Sequence, residues 1–129
     1  MKRKIDAGTS GWRVDTYATD GGHRPAWAFI EGLEAGDKVE AIALVKLLEE
    51  QGNRLRRPQS GALGDGLFEL RGKQVRLFYA FLPGRVIVLL DGEIRKGSDI
   101  PVRTLERMRM LQADVMRRVT SKGGRGGSR

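Results

Sequence analysis

Three short apolar segments between residues 67 and 94 constrain the fold of this chain most strongly, because only two-residue turns separate them. The segments cover about residues 67 to 71, 74 to 82 and 85 to 94, and the turns are Gly72-Lys73 and Pro83-Gly84. Each segment has the length and composition of a β-strand. Connections this short cannot hold a crossover helix, so consecutive strands must be antiparallel neighbours. The sequence therefore predicts a β-meander.

Two helices are predicted upstream of the meander. Pro25 is suited to a first helical turn, and Gly36 is suited to the end of that helix. Asp37 and Glu40 have the spacing of a capping box, which opens a second helix that Gly52 ends. This second helix has apolar residues over much of its circumference, so we expect it to be largely buried: Val39, Ala41, Ile42, Leu44, Val45, Leu47 and Leu48.

The remaining segments complete a mixed α+β domain. Residues 12 to 18 alternate as a short first strand, and residues 53 to 66 are rich in turn residues, which indicates a surface loop. After Pro101, apolar residues recur at helical spacing and predict a third helix: Leu105, Met108, Leu111, Val115 and Val119. We therefore expect one domain over residues 12 to 119, with a flexible N-terminus (1 to 11) and a disordered basic Gly-rich tail (120 to 129).

The charge of the chain indicates an anionic partner. The 24 Lys and Arg against 16 Asp and Glu give a formal net charge of +8, which favours nucleic acid or an acidic protein. The absence of Cys excludes disulfides and zinc-thiolate sites, and a single His excludes a multi-histidine metal site. No apolar run reaches the roughly 20 residues of a membrane span and no signal-like segment is present, so we expect a cytoplasmic protein.

Cations lie within the predicted meander. Strand alternation directs Arg76 to the face opposite Val75 and Leu77, and only four residues separate Arg76 from Arg71 across the turn. Arg95 and Lys96 follow the next strand. Together these side chains would form a basic patch, where guanidinium groups bind phosphate oxygens in a bidentate manner.

A different interpretation of the same cations stays open. Arginine and lysine on an antiparallel sheet most often belong to its solvated face. Carboxylates at Glu69, Asp91 and Glu93 are available as ion-pair partners. Sequence periodicity alone does not decide between a phosphate site and an ion-paired surface.

An ordered set of motifs resembles the phage-derived branch of the RelE/HigB toxin superfamily. The branch has L-W-E-L-R, R-x-x-Y-x-x and I-V-L-L-H-G-F-x-K-K segments, followed by a proline before the last helix. This chain has "GLFELR" at 66 to 71, "VRLFYAF" at 75 to 81, "GRVIVLL" at 84 to 90, Arg95-Lys96 and Pro101. The upstream helices and loop also match in order, so the resemblance covers about residues 12 to 115.

The resemblance implies a fold, an activity and a partner. The fold would be the RelE-like one, a small twisted antiparallel-rich sheet with two N-terminal helices and a C-terminal helix. The activity would be ribosome-dependent cleavage of messenger RNA, in which the ribose 2′-hydroxyl attacks the adjacent phosphate without a metal or other cofactor. The partner would be a cognate helix-turn-helix antitoxin that holds the toxin inactive.

The resemblance also implies roles for individual residues. Arg76 matches the arginine that stabilises the scissile phosphate, and Arg71 and Lys96 match cations that act on the phosphate or the leaving oxygen. We therefore expect these three residues to be catalytic. Further contacts to RNA are expected from the neighbouring cations Arg95, Lys73 and Arg85.

The chain departs from the family pattern at one segment. Where relatives have His-Gly-Phe, this sequence has Asp91, Gly92 and Glu93. The missing histidine is a candidate general base in relatives, and two added carboxylates repel RNA. A carboxylate can act as a base when its site is confined. Loss of cleavage is the alternative, which would leave a noncatalytic RNA-, ribosome- or protein-binding module.

Overall fold

The computed structural model describes residues 11–127, and for residues 121–127 it describes the backbone alone. The elements are β1 (Arg13–Thr16), α1 (Pro25–Glu31), α2 (Ala35–Gln51), a 3-10 turn (Gly52–Arg54), β2 (Ser60–Gly64), β3 (Leu67–Arg71), β4 (Val75–Leu82), β5 (Val86–Ile94) and α3 (Val102–Gly127). This mixed α+β architecture confirms the predicted fold class.

The five strands form one sheet in the order β1-β5-β4-β3-β2. Strands β2 to β5 pair antiparallel in chain order, which confirms the meander and its two short turns. Strand β1 pairs parallel with β5, from Arg13 beside Val86 to Thr16 beside Leu89. The two edges of the sheet are therefore β1 and β2.

Strand β2 corrects the prediction of a loop over residues 53 to 66. Ser60–Gly64 pairs with β3, with Ser60 opposite Leu70 and Gly61 opposite Glu69. The strand was missed because its sequence, Ser-Gly-Ala-Leu-Gly, lacks the β-branched and aromatic residues that mark strands. Hydrogen bonding to β3 therefore stabilises β2, although its residues have low strand propensity.

The boundary between the first two helices also differs from the prediction. Helix α1 ends at Glu31, with Gly32 rather than Gly36 as its C-cap, and α2 begins at Ala35. Asp37 therefore lies inside the first turn of α2, where a carboxylate favours the helix dipole, and does not cap the helix. The Glu40 side chain binds backbone amides of the β3–β4 turn instead of closing a capping box.

Apolar side chains pack on both faces of the sheet. Helices α1 and α2 cover one face, where Leu77 and Tyr79 pack against Ile30, Leu44 and Leu48. Helix α3 covers the other face, where a second cluster contains Leu67, Phe78, Ala80, Val88, Leu90, Met108 and Val115. Alternation along β4 thus sends Arg76 and Phe78 toward the α3 face.

Helix α2 is less buried than expected. Ala41, Leu44 and Leu48 are buried, but Val39 and Ile42 are exposed. The stripe that packs on the sheet is narrower than the apolar surface of the helix, because the sheet contacts only one side of it.

Helix α3 begins directly after Pro101, as predicted. Met108 and Val115 from its apolar stripe are buried against the sheet. The helix extends to Gly127, beyond residue 119, where we expected the folded domain to end. The predicted flexible N-terminus falls almost entirely outside the described residues.

Within the described residues, none of the helices is both long and apolar enough to cross a membrane.

Candidate active site

Arg71 and Arg76 lie directly opposite each other on β3 and β4. Both side chains project to the α3 face, which confirms the predicted cross-strand approach of the two cations. Two like charges at opposed positions of a sheet destabilise it unless an anion lies between them. The structure supplies that anion from β3 itself.

The Glu69 carboxylate joins the two arginines. Its Oε2 accepts hydrogen bonds from Arg71 Nε at 3.0 Å and Nη2 at 2.8 Å, and its Oε1 accepts one from Arg76 Nε at 3.0 Å. Glu69 is two residues from Arg71, so strand alternation places both side chains on one face. Gly61 opposite Glu69 leaves the space, since a Cβ there would lie 2.9 Å from Arg71 Nη2.

Arg76 is a buried cation with acceptors at every guanidinium nitrogen. Its side chain is 1% exposed. Besides Glu69, its Nη1 donates to Glu93 Oε2 at 2.6 Å, and its Nη2 points to the Gly97 and Ser98 carbonyl oxygens at 3.5 and 3.3 Å. Arginine carries five N–H donors in a fixed plane, so this arrangement uses much of its capacity. In this conformation a phosphate has no direct access to Arg76.

The carboxylates that depart from the family pattern connect the sheet to α3. Glu93 Oε1 accepts a hydrogen bond from the Thr104 hydroxyl at 2.8 Å, and Asp91 accepts one from Arg107. Asp91 also accepts the Gly92 backbone N–H at 2.7 Å. The ion pairs from Arg71 through Glu69 and Arg76 to Glu93, which we call the Glu69–Arg76–Glu93 network, thus reach α3 through the Thr104 hydrogen bond, and Asp91 with Arg107 forms a separate ion pair between β5 and α3.

An open groove adjoins the network. Its volume is about 660 Å³, and its lining consists of Glu93, Ile94, Lys96, Asp99, Pro101, Arg103 and Thr104. Lys96 is exposed there, and Arg71 remains 27% exposed beside Glu69. Lys96 and Arg71 are thus the expected catalytic cations that solvent reaches, whereas Arg76 lies beneath them.

Two of the expected RNA contacts lie near this site and the third does not. Lys73 is exposed in the β3–β4 turn, and Arg95 donates from Nη1 to the Gly72 carbonyl oxygen at 2.5 Å. Arg85 lies in the β4–β5 turn, at the other end of β4 from Arg76. Strand rise puts it roughly 20 Å away. Arg85 instead stacks over Trp12, with its guanidinium carbon 4.8 Å from the ring centroid.

Glu40 of α2 fixes the turn that carries Lys73. Its carboxylate accepts backbone N–H groups of Lys73 at 2.6 Å and of Gln74 and Val75 at 3.1 Å each. Sequence reasoning missed this role, since Glu40 and the turn are more than thirty residues apart in the chain. Three amides converging on one carboxylate hold the turn in a single conformation.

A second polar contact attaches α3 to Tyr17, which directly follows β1. The Tyr17 hydroxyl donates to Asp114 Oδ2 at 2.6 Å, and Arg118 lies over the Tyr17 ring. The hydrogen bond to Asp114 raises the pKa of Tyr17, and the same bond with the nearby Arg118 and Arg117 lowers the pKa of Asp114. This contact stays intact at neutral pH.

Within residues 11–127, no group of three or more His, Asp or Glu side chains is arranged to hold a metal ion.

A family model described as "Phage derived protein Gp49-like (DUF891)" matches residues 28–112. This match includes the second half of α1, all of α2, the whole meander and the start of α3. No curated protein sequence matches the chain.

A solved structure is also similar to this chain. It is the toxin-antitoxin complex RelBE2 from Mycobacterium tuberculosis, with 19% sequence identity and a TM-score of 0.43. The alignment covers 66% of this chain and 99% of that one.

Proposed function

The chain belongs to the Gp49-like family of phage-derived proteins, and from this premise we propose that it is the toxin of a type II toxin-antitoxin system. The family is the phage-derived group that its motifs resemble. In this proposal the protein cleaves messenger RNA on the ribosome in the cytoplasm, and a cognate helix-turn-helix antitoxin restrains it.

The observation that carries the proposal is a pair of accessible cations at the two ends of the network that adjoins the open groove. Arg71 is partly exposed at one end of the Glu69–Arg76–Glu93 network, and Lys96 is exposed on the groove wall near its other end. Cations held at fixed positions on the sheet and just after its last strand are suited to the extra negative charge of a phosphoryl-transfer transition state. The net charge of +8 favours the approach of RNA.

The proposed reaction is an internal transfer within RNA. The 2′-oxygen forms a bond to phosphorus as its proton passes to a base, and the bond from phosphorus to the 5′-oxygen breaks as that oxygen takes up a proton. Arg71 and Lys96 would hold the phosphate and the leaving oxygen. Glu93 lines the groove and is our candidate for the proton acceptor.

Arg76 has a different part in this proposal from the one that the motif alone implies. Its guanidinium is enclosed by Glu69 and Glu93, so it would orient these carboxylates and contribute positive charge from beneath the groove. Direct contact with the phosphate would require Glu93 to turn away from Arg76. This change would be part of binding on the ribosome.

A noncatalytic binding module is the second candidate function. The observation that favours it is the occupation of the Arg76 donors by Glu93, a residue that stands where relatives have phenylalanine. Such a module would bind RNA, ribosomes or another protein and leave the messenger intact.

The test is inducible expression followed by mapping of messenger RNA ends on translating ribosomes. We expect growth arrest with new in-frame cuts from the wild type, and loss of both from Arg71→Ala/Lys96→Ala. Arg13→Ala/Arg117→Ala is the matched control, since it removes the same charge from exposed positions outside the groove. Arrest with ribosome binding but no cuts would favour the noncatalytic module.

A further inference from the structure

A second cleft lies on the opposite face of the sheet from the candidate active site. Its volume is about 590 Å³, and its lining comprises Asn53, Leu55, Arg56, Arg57, Ser60, Gly61, Ala62, Phe68, Tyr79 and Phe81. The segment from the 3-10 turn to β2 forms one wall, and side chains of β3 and β4 form the floor. None of the expected catalytic or RNA-binding residues lines this cleft.

Aromatic rings form a continuous row along the floor. Tyr79 and Phe68 are stacked with centroids 5.4 Å apart, and Phe68 meets Phe81 edge to face at 5.3 Å. Phe81 contacts Trp12 at 5.3 Å, and Arg85 covers Trp12 at the end of the row. Phe68 and Phe81 are only partly buried, so part of their surface faces the cleft.

Among the described residues, the arginines on the wall of this cleft have no carboxylate partner. Arg56 donates only to the backbone carbonyl oxygens of Asn53 at 2.8 Å and Leu55 at 3.2 Å. In the part of the chain that the structure describes, neither Arg56 nor Arg57 forms an ion pair. Arg71 and Arg76 of the candidate active site differ, since Glu69 and Glu93 neutralise them. The positive charges of Arg56 and Arg57 are therefore available to an anionic ligand in the second cleft.

A buried hydroxyl pair forms the polar part of the floor. Ser60 Oγ and Tyr79 Oη are 2.7 Å apart, and the two residues are 5% and 1% exposed. Burial raises the pKa of Tyr79, so its hydroxyl is protonated at neutral pH. Two hydroxyls carry two hydrogens and their mutual bond uses one, which leaves one hydrogen for an acceptor in the cleft.

We propose that this cleft binds a nucleotide of single-stranded RNA, with its base against Phe68 and Phe81 and its phosphates on Arg56 and Arg57. The remaining hydroxyl hydrogen of the Ser60–Tyr79 pair donates to a base carbonyl or ring nitrogen. Flat rings, unpaired arginines and a buried donor are together the features that single-stranded nucleic acid requires. The choice of RNA as ligand rests on the proposed function, but the binding does not require cleavage.

Binding of a fluorescently labelled single-stranded RNA oligonucleotide to the full chain tests this site. We expect Arg56→Ala/Arg57→Ala to raise Kd at least about tenfold, and loss of two phosphate contacts to reduce the salt slope by about 1.4. Arg13→Ala/Arg117→Ala removes equal charge elsewhere and should change Kd less than about twofold, because screening weakens distant charges. Equal effects of the two double variants would overturn the site.

An abasic oligonucleotide of the same length tests the role of the base. Stacking of one base predicts about fivefold to hundredfold weaker binding of the abasic strand to the wild type. Phe68→Leu should remove much of this difference while it keeps an apolar residue on the floor. Equal affinity of the wild type for the normal and the abasic oligonucleotide would refute binding of a base in the cleft. This result is also expected if the ligand of the cleft is an acidic peptide.

The two proposals fail separately. If the wild type cuts messenger RNA on ribosomes and Arg56→Ala/Arg57→Ala binds RNA with unchanged affinity, the proposal of RNA binding in the cleft is refuted and the proposed toxin function is retained. If that variant selectively loses RNA affinity and the wild type makes no cuts, RNA binding in the cleft is retained and the proposed endoribonuclease activity is refuted. Circular dichroism of each variant identifies losses that arise from unfolding.

Discussion

Glu93 lies directly across the β4–β5 ladder from Arg76, and a 2.6 Å hydrogen bond joins its carboxylate to the guanidinium. The resemblance assigns this arginine to the scissile phosphate, and the residue opposite it in relatives is phenylalanine. In the proposed reaction, Glu93 would have to turn away before a phosphate could contact Arg76. We therefore expect cleavage to depend on how readily this ion pair opens.

Glu93→Gln tests that dependence. The amide keeps the size of the side chain and removes one negative charge from the groove. We expect RNA to bind about twofold to fivefold more tightly, equivalent to about 0.4–1 kcal/mol, because repulsion of the phosphate decreases. Glu106→Gln on the exposed side of α3 is the charge control. If Glu93→Gln and Glu106→Gln gain equally in RNA affinity, the gain arises from net charge and not from the position of Glu93.

Arg76→Ala is expected to destabilise the fold strongly. It leaves Glu69 buried and Glu93 half-buried without their common cation, and breaking a buried ion pair in this way costs about 3–5 kcal/mol of unfolding free energy. Urea unfolding measures the change. Arg103→Ala, at an exposed position of α3, should stay within about 0.5 kcal/mol of the wild type.

A second variant separates stability from function at Arg76. Combining Arg76→Met with Glu69→Gln and Glu93→Gln removes all three charges and should recover most of the lost stability. If this triple variant folds but fails to inhibit translation, the network has a functional role. A cost below about 1 kcal/mol for Arg76→Ala alone would contradict its role as a structural cation.

Glu40→Ala should loosen the β3–β4 turn. Three backbone amides lose their acceptor, and we expect the unfolding free energy to fall by about 1–3 kcal/mol. Hydrogen exchange at Lys73, Gln74 and Val75 should rise in the folded state. Glu49→Ala at an exposed position of the same helix should leave both quantities near the wild-type values.

Two glycine substitutions should have opposite effects. A Cβ at Gly61 would lie 2.9 Å from Arg71 Nη2 and 3.1 Å from Glu69 Oε2, so Gly61→Ala should cost about 0.5–1.5 kcal/mol, because the ends of these two side chains must move out of their preferred conformations. Gly36 in α2 has open space around it, and Gly36→Ala should stabilise the helix by up to about 1 kcal/mol. Thermal unfolding distinguishes the two, and a neutral Gly61→Ala would disprove the close approach.

The contact between Tyr17 and Asp114 predicts that the unfolding free energy depends on pH in the acidic range. The hydrogen bond from Tyr17 and the nearby arginines lower the pKa of Asp114 in the folded protein. Because the pKa of this carboxyl is lower in the folded than in the unfolded protein, ionised Asp114 stabilises the fold at pH values above its unfolded pKa of about 3.9. This stabilisation is lost as the pH falls from the unfolded pKa through the folded pKa. The difference in unfolding free energy between wild type and Asp114→Asn should therefore be constant near neutral pH and shrink below about pH 4.

The matched control for this acid dependence is Asp65→Asn, in the exposed β2–β3 turn. Asparagine tolerates the positive φ of 52° at this position. Its difference from the wild type should show less dependence on pH than that of Asp114→Asn. A difference for Asp114→Asn that stays constant down to pH 2 would contradict the prediction.

The meander could be predicted closely from the sequence because its signals are local. Short turns fix the antiparallel order, and strand alternation fixes the faces of Arg71 and Arg76. Both residues lie where the pattern indicates. The same alternation also assigns Glu69 to their face, so the ion-paired alternative was visible in the sequence.

Contacts between distant parts of the chain could not be predicted in this way. Burial of Arg76 depends on α3 and on the backbone at Gly97 and Ser98, none of which strand periodicity specifies. The second cleft was missed because it combines β2, which has weak strand propensity, with Phe68 and Phe81. Only the sheet order brings these parts together.

The parallel pairing of β1 with β5 also affects the order in which the sheet folds. Residues 13–16 are synthesised some seventy residues before their partners at 86–89. The first strand must therefore wait unpaired while the helices and the meander form, since loop closure between such distant segments is slow. We expect completion of the sheet to be a late step of folding, after the helices and the meander have formed.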